Sequence, residues 1–315
     1  MTRKNKAGAA GGLPELKEPL AQVSPPDPLL ELREISYAYE GGQLALDGVS
    51  ARFYPGEKVA VLGNNGAGKS TFFLCVNGVL RPLGGQLLFR GQEIPRKRRE
   101  LLNLRKSVGI VFQEPDQQIV ASTVESEISF GPMNLRLPVP EVEKRVDAAA
   151  AAMNLTEYLR RPPHYLSGGE KKRVSIADIL AMEPEMILFD EPTASLDPRN
   201  SAMLEETLGE LAAQGITLVV STHDVDLAWR FAERVLVFHQ GRIIADGPPE
   251  EIFADDPLIR LAGLEKPLLY QAAAELAELA GASVGKKQAG ESGAGPGALP
   301  KTLEEFRHFA KALLG

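Results

Sequence analysis

The sequence has one cysteine in 315 residues, Cys75, so no disulfide can form within the chain, a usage that suits a reducing compartment. Nowhere do apolar residues run to 18 in succession, and no membrane-spanning helix is expected. The opening stretch, MTRKNKAGAAGGLPELKEP, carries charge but no apolar segment of the secretory kind, so it reads as a disordered extension and not as a leader. Basic residues are outnumbered, 35 against 42 acids, for a formal charge of −7; a nucleic-acid-binding face needs a broad basic surface that this balance does not supply. The basic run RKRR, residues 96–99, reads as a solvated helix face. The four histidines and Cys75 show no ligand spacing such as H-x-x-x-H, so no transition-metal site is expected. No internal repeat is visible.

A hydrophobic content of 44% is enough for one large domain with appendages. Its centre is the stretch KVAVLGNNGAGKSTFFLCVNGVL, residues 58–80, where an apolar strand empties into a glycine-rich loop and then a helix. Gly63, Gly68, Lys69 and Ser70 fit G-x-x-x-x-G-K-[ST]. In such a loop the backbone N–H groups cradle phosphates, the lysine reaches the β and γ oxygens, and the serine hydroxyl meets Mg²⁺. The helix from Lys69 adds the positive end of its dipole. Cys75 lies in that helix and reads as a small core side chain.

Residues 1–28, rich in Ala, Gly and Pro, have too little apolar surface to offset ordering entropy. From Leu29, alternation in LLELREISYAY and LALDGVSARFY gives strands ahead of the loop; Tyr39 there is placed either to stack on a base or to sit half-buried in its strand. After the first helix come a strand and turn (QLLFRGQ) and a polar helix over residues 96–106. The strand 108–112 delivers Gln113, whose uncharged oxygen can meet a metal or a water, and Pro115 and Asp116 open a short helix carrying Gln117 and Gln118. Val142, Val146, Ala149 and Met153 mark the core face of an amphipathic helix.

Ser167, Gly168 and Gly169 then precede a helix over about 170–182, which is either a second phosphate nest without a lysine or a plain serine cap. The apolar strand MILFD ends in Asp190 beside Glu191; two adjacent carboxylates closing a buried strand are costly unless a cation pairs with them, so a Mg²⁺ ligand and a water-polarising base are expected. A turn with Asp197, a helix over about 199–214 and the strand ITLVVS lead to His223, at the edge where open α/β sheets bind ligands. A helix (224–233), a hairpin (RVLVFHQ, RIIADG) closing the domain near Phe253, a helix over about 268–279, a flexible Gly/Ala/Ser linker and a last amphipathic segment complete the chain.

Taken together, GNNGAGKST, Gln113, LSGGE, MILFDE, SLD and STHD stand in the order of an ATP-binding cassette (ABC) nucleotide-binding domain, and residues 29–255 resemble that family. The resemblance implies an α/β P-loop NTPase fold: a RecA-like core, an antiparallel β subdomain and a helical signature subdomain over about 114–182, followed by a tail, 256–315. It implies ATP and Mg²⁺ as cofactors, held by Gly63, Asn64, Asn65, Gly66, Ala67, Gly68, Lys69, Ser70 and Thr71, with Tyr39 stacked on adenine and Ser70, Gln113 and Asp190 as the Mg²⁺ ligands. Glu191 is then similar to the catalytic base, His223 to the switch histidine on the γ-phosphate, Lys69 and Gln113 to its helpers, and Asp197 to the D-loop acid. Ser167, Gly168 and Gly169 match the signature loop, which caps the ATP of a second subunit, either an identical chain or a related second ATPase, the homodimer being the one expected. Glu170 departs from the commoner Gln of that motif, with modest effect expected.

A narrower likeness rests on FQEPDQQIVASTVESEISFGPMNL with PHYLSGGEKKRVSIADILAMEP. It is similar to the ATP-binding subunits of energy-coupling factor (ECF) importers, in which Pro115, Asp116 and Gln118 would engage a transmembrane scaffold at the cytoplasmic face of the membrane. H-x-LSGGEKKR and LAMEP resemble the cobalt branch, with nickel close behind and a vitamin as the further alternative. Two other readings are weighed against this one. A soluble ABC ATPase acting on ribosomes or DNA would carry paired cassettes or a long coiled coil, whereas only about a hundred residues separate the two loops here. A scaffold without catalysis would lack the acid at Glu191.

Overall fold

The computed structural model describes residues 27–94, 98–194, 196–280 and 299–314. The N-terminal extension up to residue 26, the flexible linker expected over 281–298 and the first residues of the basic run lie outside the described residues.

Two sheets organise the chain. Strands β1 (Leu30–Ala38) and β2 (Leu44–Phe53) form an antiparallel pair, and the first stretch of the larger sheet, β3 (Lys58–Leu62), follows and runs into helix α1 (Lys69–Val76). β4 (Gly84–Phe89) pairs with β1, and β5 (Gln92–Glu93) pairs with β4, completing a four-stranded antiparallel sheet in the order β2-β1-β4-β5. Alternation buries Leu30 and Leu32, and an irregularity at Glu34 (φ of 51°) brings Ile35 into the same cluster; Phe53 joins them, and all four pack with Phe72, Phe73 and Cys75 of α1. Burial pushes the Cys75 thiol up to about 12, so it behaves as the core side chain expected.

Helix α2 (Arg98–Ser107) leads into β6 (Val108–Val111), which is shorter by one residue than the expected strand. The helical layer follows, made of α3 (Val124–Asn134), α4 (Val139–Ala152) and α5 (Gly168–Leu180). Sequence patterning assigned no element to 124–134, a stretch that contains the helix-unfavourable pair Gly131-Pro132. In the fold Thr123 caps the helix through Ser126 N, and Gly131 leaves room for Met182, whose Cγ would lie 2.6 Å from an added Cβ. Val142, Val146 and Ala149 of α4 face the core as their spacing predicted, and Met153 is buried just past the helix end.

The larger sheet is completed by β7 (Met186–Asp190), helix α6 (Pro198–Ala213), β8 (Thr217–Ser221), helix α7 (Val225–Phe231), β9 (Arg234–His239) and β10 (Arg242–Gly247). Its order is β10-β9-β3-β8-β7-β6; β6, β7, β8, β3 and β9 are parallel and β10 is antiparallel at one edge. β7 and β8 are buried at every residue, as continuous apolar strands covered on both faces must be. Because these strands are parallel, residues 63–71, 113, 190–191 and 223 all emerge at the C-terminal edge of one sheet.

Two short helices that patterning left unassigned, α8 (Pro249–Ala254) and α9 (Asp256–Ala262), each start with proline in the first turn and carry apolar packing past residue 255: Ile259 and Ala262 share a cluster with Trp229, Phe253 and Tyr270. Helix α10 (Leu268–Leu279) has the bounds expected of it, and α11 (Leu303–Leu314) packs on it through Phe309 against Ala273 and Ala277. No helix among the described residues is long and apolar enough to cross a membrane.

Candidate functional site

The loop after β3 is shaped by close approaches that only glycine allows. At Gly63 a Cβ would lie 2.5 Å from Phe238 O, and Gly68, with φ of 109°, would place one 2.6 Å from Ala45 O. Asn64, Asn65 and Gly66 are exposed at the tip, and the loop is tied across its base by Ala67 N to Asn64 O (3.0 Å) and Gly241 N to Ala67 O (2.9 Å). Gly68 is the N-cap of α1 and brings no side-chain cap. The N–H groups of Lys69, Ser70 and Thr71 therefore begin the helix without helical partners, which is the arrangement that receives phosphate.

Lys69 is 6% exposed and folds back over the loop: Nζ donates to Gly63 O at 2.6 Å and lies 3.3 Å from Glu191 Oε1. Glu191, also buried, is held in the left-handed region with φ of 43°, a conformation that costs a non-glycine residue about 1–2 kcal/mol. Its N–H is fixed by Ser221, through O and Oγ, both at 3.1 Å. Its Oε2 contacts His223 Nδ1 at 2.8 Å and accepts from His223 N at 3.3 Å. Oε1 has no hydrogen-bond partner among the described residues and faces only the Lys69 ammonium. The carboxylate thus sits between a lysine of the phosphate loop and a histidine from the end of β8, so three residues far apart in sequence meet.

Asp190, the last residue of β7, is 7% exposed, and its Oδ1 accepts from Ser221 Oγ at 2.5 Å; Oδ2 accepts no hydrogen bond among the described residues. Ser70 and Gln113 are exposed. The Mg²⁺ ligand set expected from sequence, the Ser70 hydroxyl, the Gln113 amide oxygen and the Asp190 carboxylate, is made of oxygens, as that hard cation requires. No cluster of three or more His, Cys, Asp or Glu able to hold a metal by itself occurs among the described residues. Tyr39 is half exposed, stands edge-on to Tyr37 with ring centroids 5.0 Å apart, and its hydroxyl meets Thr71 Oγ1 at 3.2 Å, placing the ring beside the phosphate loop.

The second glycine site is separate. Ser167 caps α5 in a reciprocal box: its Oγ accepts from Glu170 N at 3.3 Å, while Glu170 Oε2 accepts from Ser167 N at 2.7 Å and from Ser167 Oγ at 2.8 Å. These hydrogen bonds, the backbone one first, hold the Glu170 carboxyl below its ordinary range. Gly169 packs against Asn200, whose Oδ1 would lie 2.5 Å from a Cβ; Gly168 is exposed with nothing within 4 Å. Among the described residues no hydrogen bond or ion pair joins Ser167, Gly168 or Gly169 to the phosphate loop. Asp197 caps α6 through Asn200 N at 2.9 Å and Asn200 Nδ2 at 2.6 Å, and that backbone hydrogen bond is the main reason its pKa is lowered.

Gln118, expected on the surface facing a membrane partner, is engaged inside the chain. Its Nε2 donates to Ser175 O at 2.8 Å and to Asp178 Oδ2 at 3.2 Å, and its Oε1 accepts from Phe112 N at 3.4 Å. Asp116 is exposed and pairs with Lys171 at 2.8 Å. Burial pushes Asp178 up to about 7, with Gln118 opposing and the nearby Glu127 adding to the rise. Lys172, which sequence reading passed over, is 3% exposed and is pushed down to about 8 by burial, with Asp190 and Glu114 partly restoring it. Ser221 was missed as well; only its place as the last residue of a buried strand could have pointed to it.

The family model described as ABC transporter matches residues 46–194. The Energy-coupling factor transporter ATP-binding protein EcfA of Methanococcus maripaludis is 49% identical over 239 residues, covering 76% of this chain and 86% of that protein. The protein of the same description from Methanothermobacter thermautotrophicus is also 49% identical, over 76% of this chain and 77% of that one. Among solved structures, cbiO1 from Clostridium perfringens, part of the ABC transporter complex cbiONQ, matches with a TM-score of 0.67 and 42% identity over 74% of this chain and 94% of that chain. A dimeric ATP-binding cassette in a post-hydrolysis state with ADP and Pi matches with a TM-score of 0.63 and 28% identity, over 70% and 98% of the two chains.

Proposed function

We propose, on the premise that the chain belongs to the ATP-binding subunits of energy-coupling factor transporters, that it drives import of cobalt ions as half of a head-to-tail homodimer at the cytoplasmic face of the membrane. As a member of that family it is an ABC ATPase whose hydrolysis is coupled to transport. The observation that carries the mechanistic reading is Glu191 held between Lys69 and His223 with one buried oxygen unbonded. ATP phosphates entering the loop compete for the Lys69 ammonium and release Glu191 Oε1 to face a water. Glu191 takes the proton as the water oxygen bonds to the γ-phosphorus, the bond to the β-phosphate oxygen breaks, and ADP and phosphate result. Lys69 and His223 stabilise the charge on the transferring group. Ser70, Gln113 and Asp190 would hold Mg²⁺, which when bound neutralises phosphate charge.

The homodimer reading is supported by the separation of Ser167–Gly169 from the phosphate loop of its own chain, which leaves the signature to serve the ATP of a partner. The cobalt reading is supported by the stretches H-x-LSGGEKKR and LAMEP; nickel or a vitamin as cargo is the alternative. Uptake of labelled Co²⁺, against Ni²⁺ and a vitamin control, in cells expressing this chain with its cognate membrane subunits tests it. Cobalt uptake lost in the Glu191→Gln protein is the expected result. Vitamin uptake would keep the machine and discard the metal, and no uptake of any kind would remove the importer reading.

A further inference from the structure

A lysine in the signature helix is buried where no carboxylate pairs with it. Lys172 is 3% exposed, no acid lies within ion-pair distance among the described residues, and its Nζ donates instead to two successive main-chain carbonyls, Phe112 O at 2.7 Å and Gln113 O at 2.9 Å. Burying an ammonium with no carboxylate in contact is costly, the more distant Asp190 and Glu114 offset only part of that cost, and an apolar side chain of similar length would fill the space without it. What the ammonium adds is a fixed position for the main chain leaving β6. The same segment is fastened to the same helix twice more, by Gln118 to Ser175 O and Asp178 and by Asp116 to Lys171.

Lys172 follows Ser167 by five residues, about 7.5 Å along the helix. One ammonium therefore ties Gln113, at the phosphate end of β6, to the helix that Ser167 caps. The Gln113 side chain is exposed, and the direction of its Cα–Cβ bond follows the main chain that Lys172 holds.

We propose that Lys172 is a positioning residue for ATP hydrolysis: it aligns Gln113 at the phosphate site and makes that alignment depend on the seating of the signature helix. This rests on the reading of Gln113 as a reaction-site residue. A displacement of about 1 Å in a reacting geometry can cost ~10²-fold in rate. Lys172→Met is expected to lower kcat by about 10- to 100-fold with the ATP KM within about threefold of wild type, because the loop 63–71 is untouched.

The test is a double-mutant cycle on the full chain assembled with its membrane subunits, reading ATPase kcat, KM and Tm for Lys172→Met, Lys172→Arg, Gln113→Ala and Lys172→Met with Gln113→Ala. Lys172→Arg, which keeps the charge and the donors, is expected to recover part of kcat. The double variant is expected to be no slower than Gln113→Ala alone within about twofold, since a residue that acts through Gln113 adds nothing once Gln113 is gone. Losses that multiply in the double variant, or a lowered Tm with kcat intact, would overturn the proposal. Wild-type kcat in Gln113→Ala removes the reading of Gln113 itself, whereas a slow Gln113→Ala with a fast Lys172→Met removes only the role of Lys172. If Lys172→Met does not fold, Lys172→Gln, which retains a donor, takes its place under the same criteria.

Discussion

Helix α1 starts at a bare glycine, Gly68, with no side chain bonded to its first turn, whereas α5 starts at Ser167 under a box closed by Glu170. The first arrangement leaves its opening N–H groups without protein partners and keeps Lys69 close by, paired provisionally with Gly63 O and Glu191. It is chemically incomplete until phosphate arrives. The second has met its own needs through the capping box, which agrees with the proposal that it meets ATP only when a partner subunit closes on it. The glycines differ in the same way. Gly68 is required by its own chain, through φ of 109° and the contact with Ala45 O, but Gly168 has no positive φ and open space around its Cα. The fold gives no reason for glycine at 168, as the proposed approach of a partner's ATP to that backbone would require.

Alanine at each position separates the two cases, and the largest effect is expected at Gly68. Gly68→Ala forces a Cβ against main chain in a left-handed conformation, so ATP binding by calorimetry is expected to be lost and the protein destabilised by about 2 kcal/mol or more. Gly168→Ala is expected to leave Tm unchanged or raised, since alanine is favoured over glycine in a helix by up to about 1 kcal/mol, and to leave ATP binding to the single subunit intact while ATPase falls at least about tenfold. A matching loss of ATP binding in Gly168→Ala would erase the distinction drawn here. Ser167→Ala stands between them: it removes a cap, costing about 1 kcal/mol by denaturant titration, and should lower kcat without changing nucleotide affinity of the single subunit.

The last effect, seen only as a change with pH, concerns the acid that braces the signature helix. Asp178, raised to about 7, keeps a proton in the folded protein that the unfolded chain has released at pH above about 4. Stability from this group therefore falls as pH rises from about 4 to 7 and is level above that. Asp178→Asn keeps an acceptor for Gln118 and removes the titration, so its unfolding free energy relative to wild type, by denaturant titration, should rise between pH 5 and pH 8 by an amount on the order of 2–3 kcal/mol. A difference that is constant with pH would mean that Asp178 is ionised throughout.

The phosphate loop, the strand ends at Asp190, Glu191 and His223, and the serine cap at 167 were legible in the sequence because each is local: glycines and a lysine at fixed offsets, or acids closing an apolar run. Helix α10 was legible for the same reason, its apolar period lying between breakers. What escaped was set by packing between distant segments. Helix α3 contains Gly131-Pro132, which propensity reads as a stop, and tertiary contact with Met182 overrides it. The engagement of Gln118 with α5, the bond from Lys172 to the end of β6 and the bridge of Ser221 to Asp190 join residues about 30 to 60 apart, and no periodicity within one element reports such pairs.

The central claim, that each ATP is held between one chain's Gly63–Thr71 and the partner's Ser167–Gly169, is tested most directly by the mass of the Glu191→Gln protein in solution, measured by light scattering with and without ATP and Mg²⁺. A monomer without nucleotide that becomes a stable dimer with ATP, and fails to do so when Gly168→Ala is added, is the predicted result. A protein whose mass does not respond to ATP, or a dimer indifferent to the signature substitution, would contradict it.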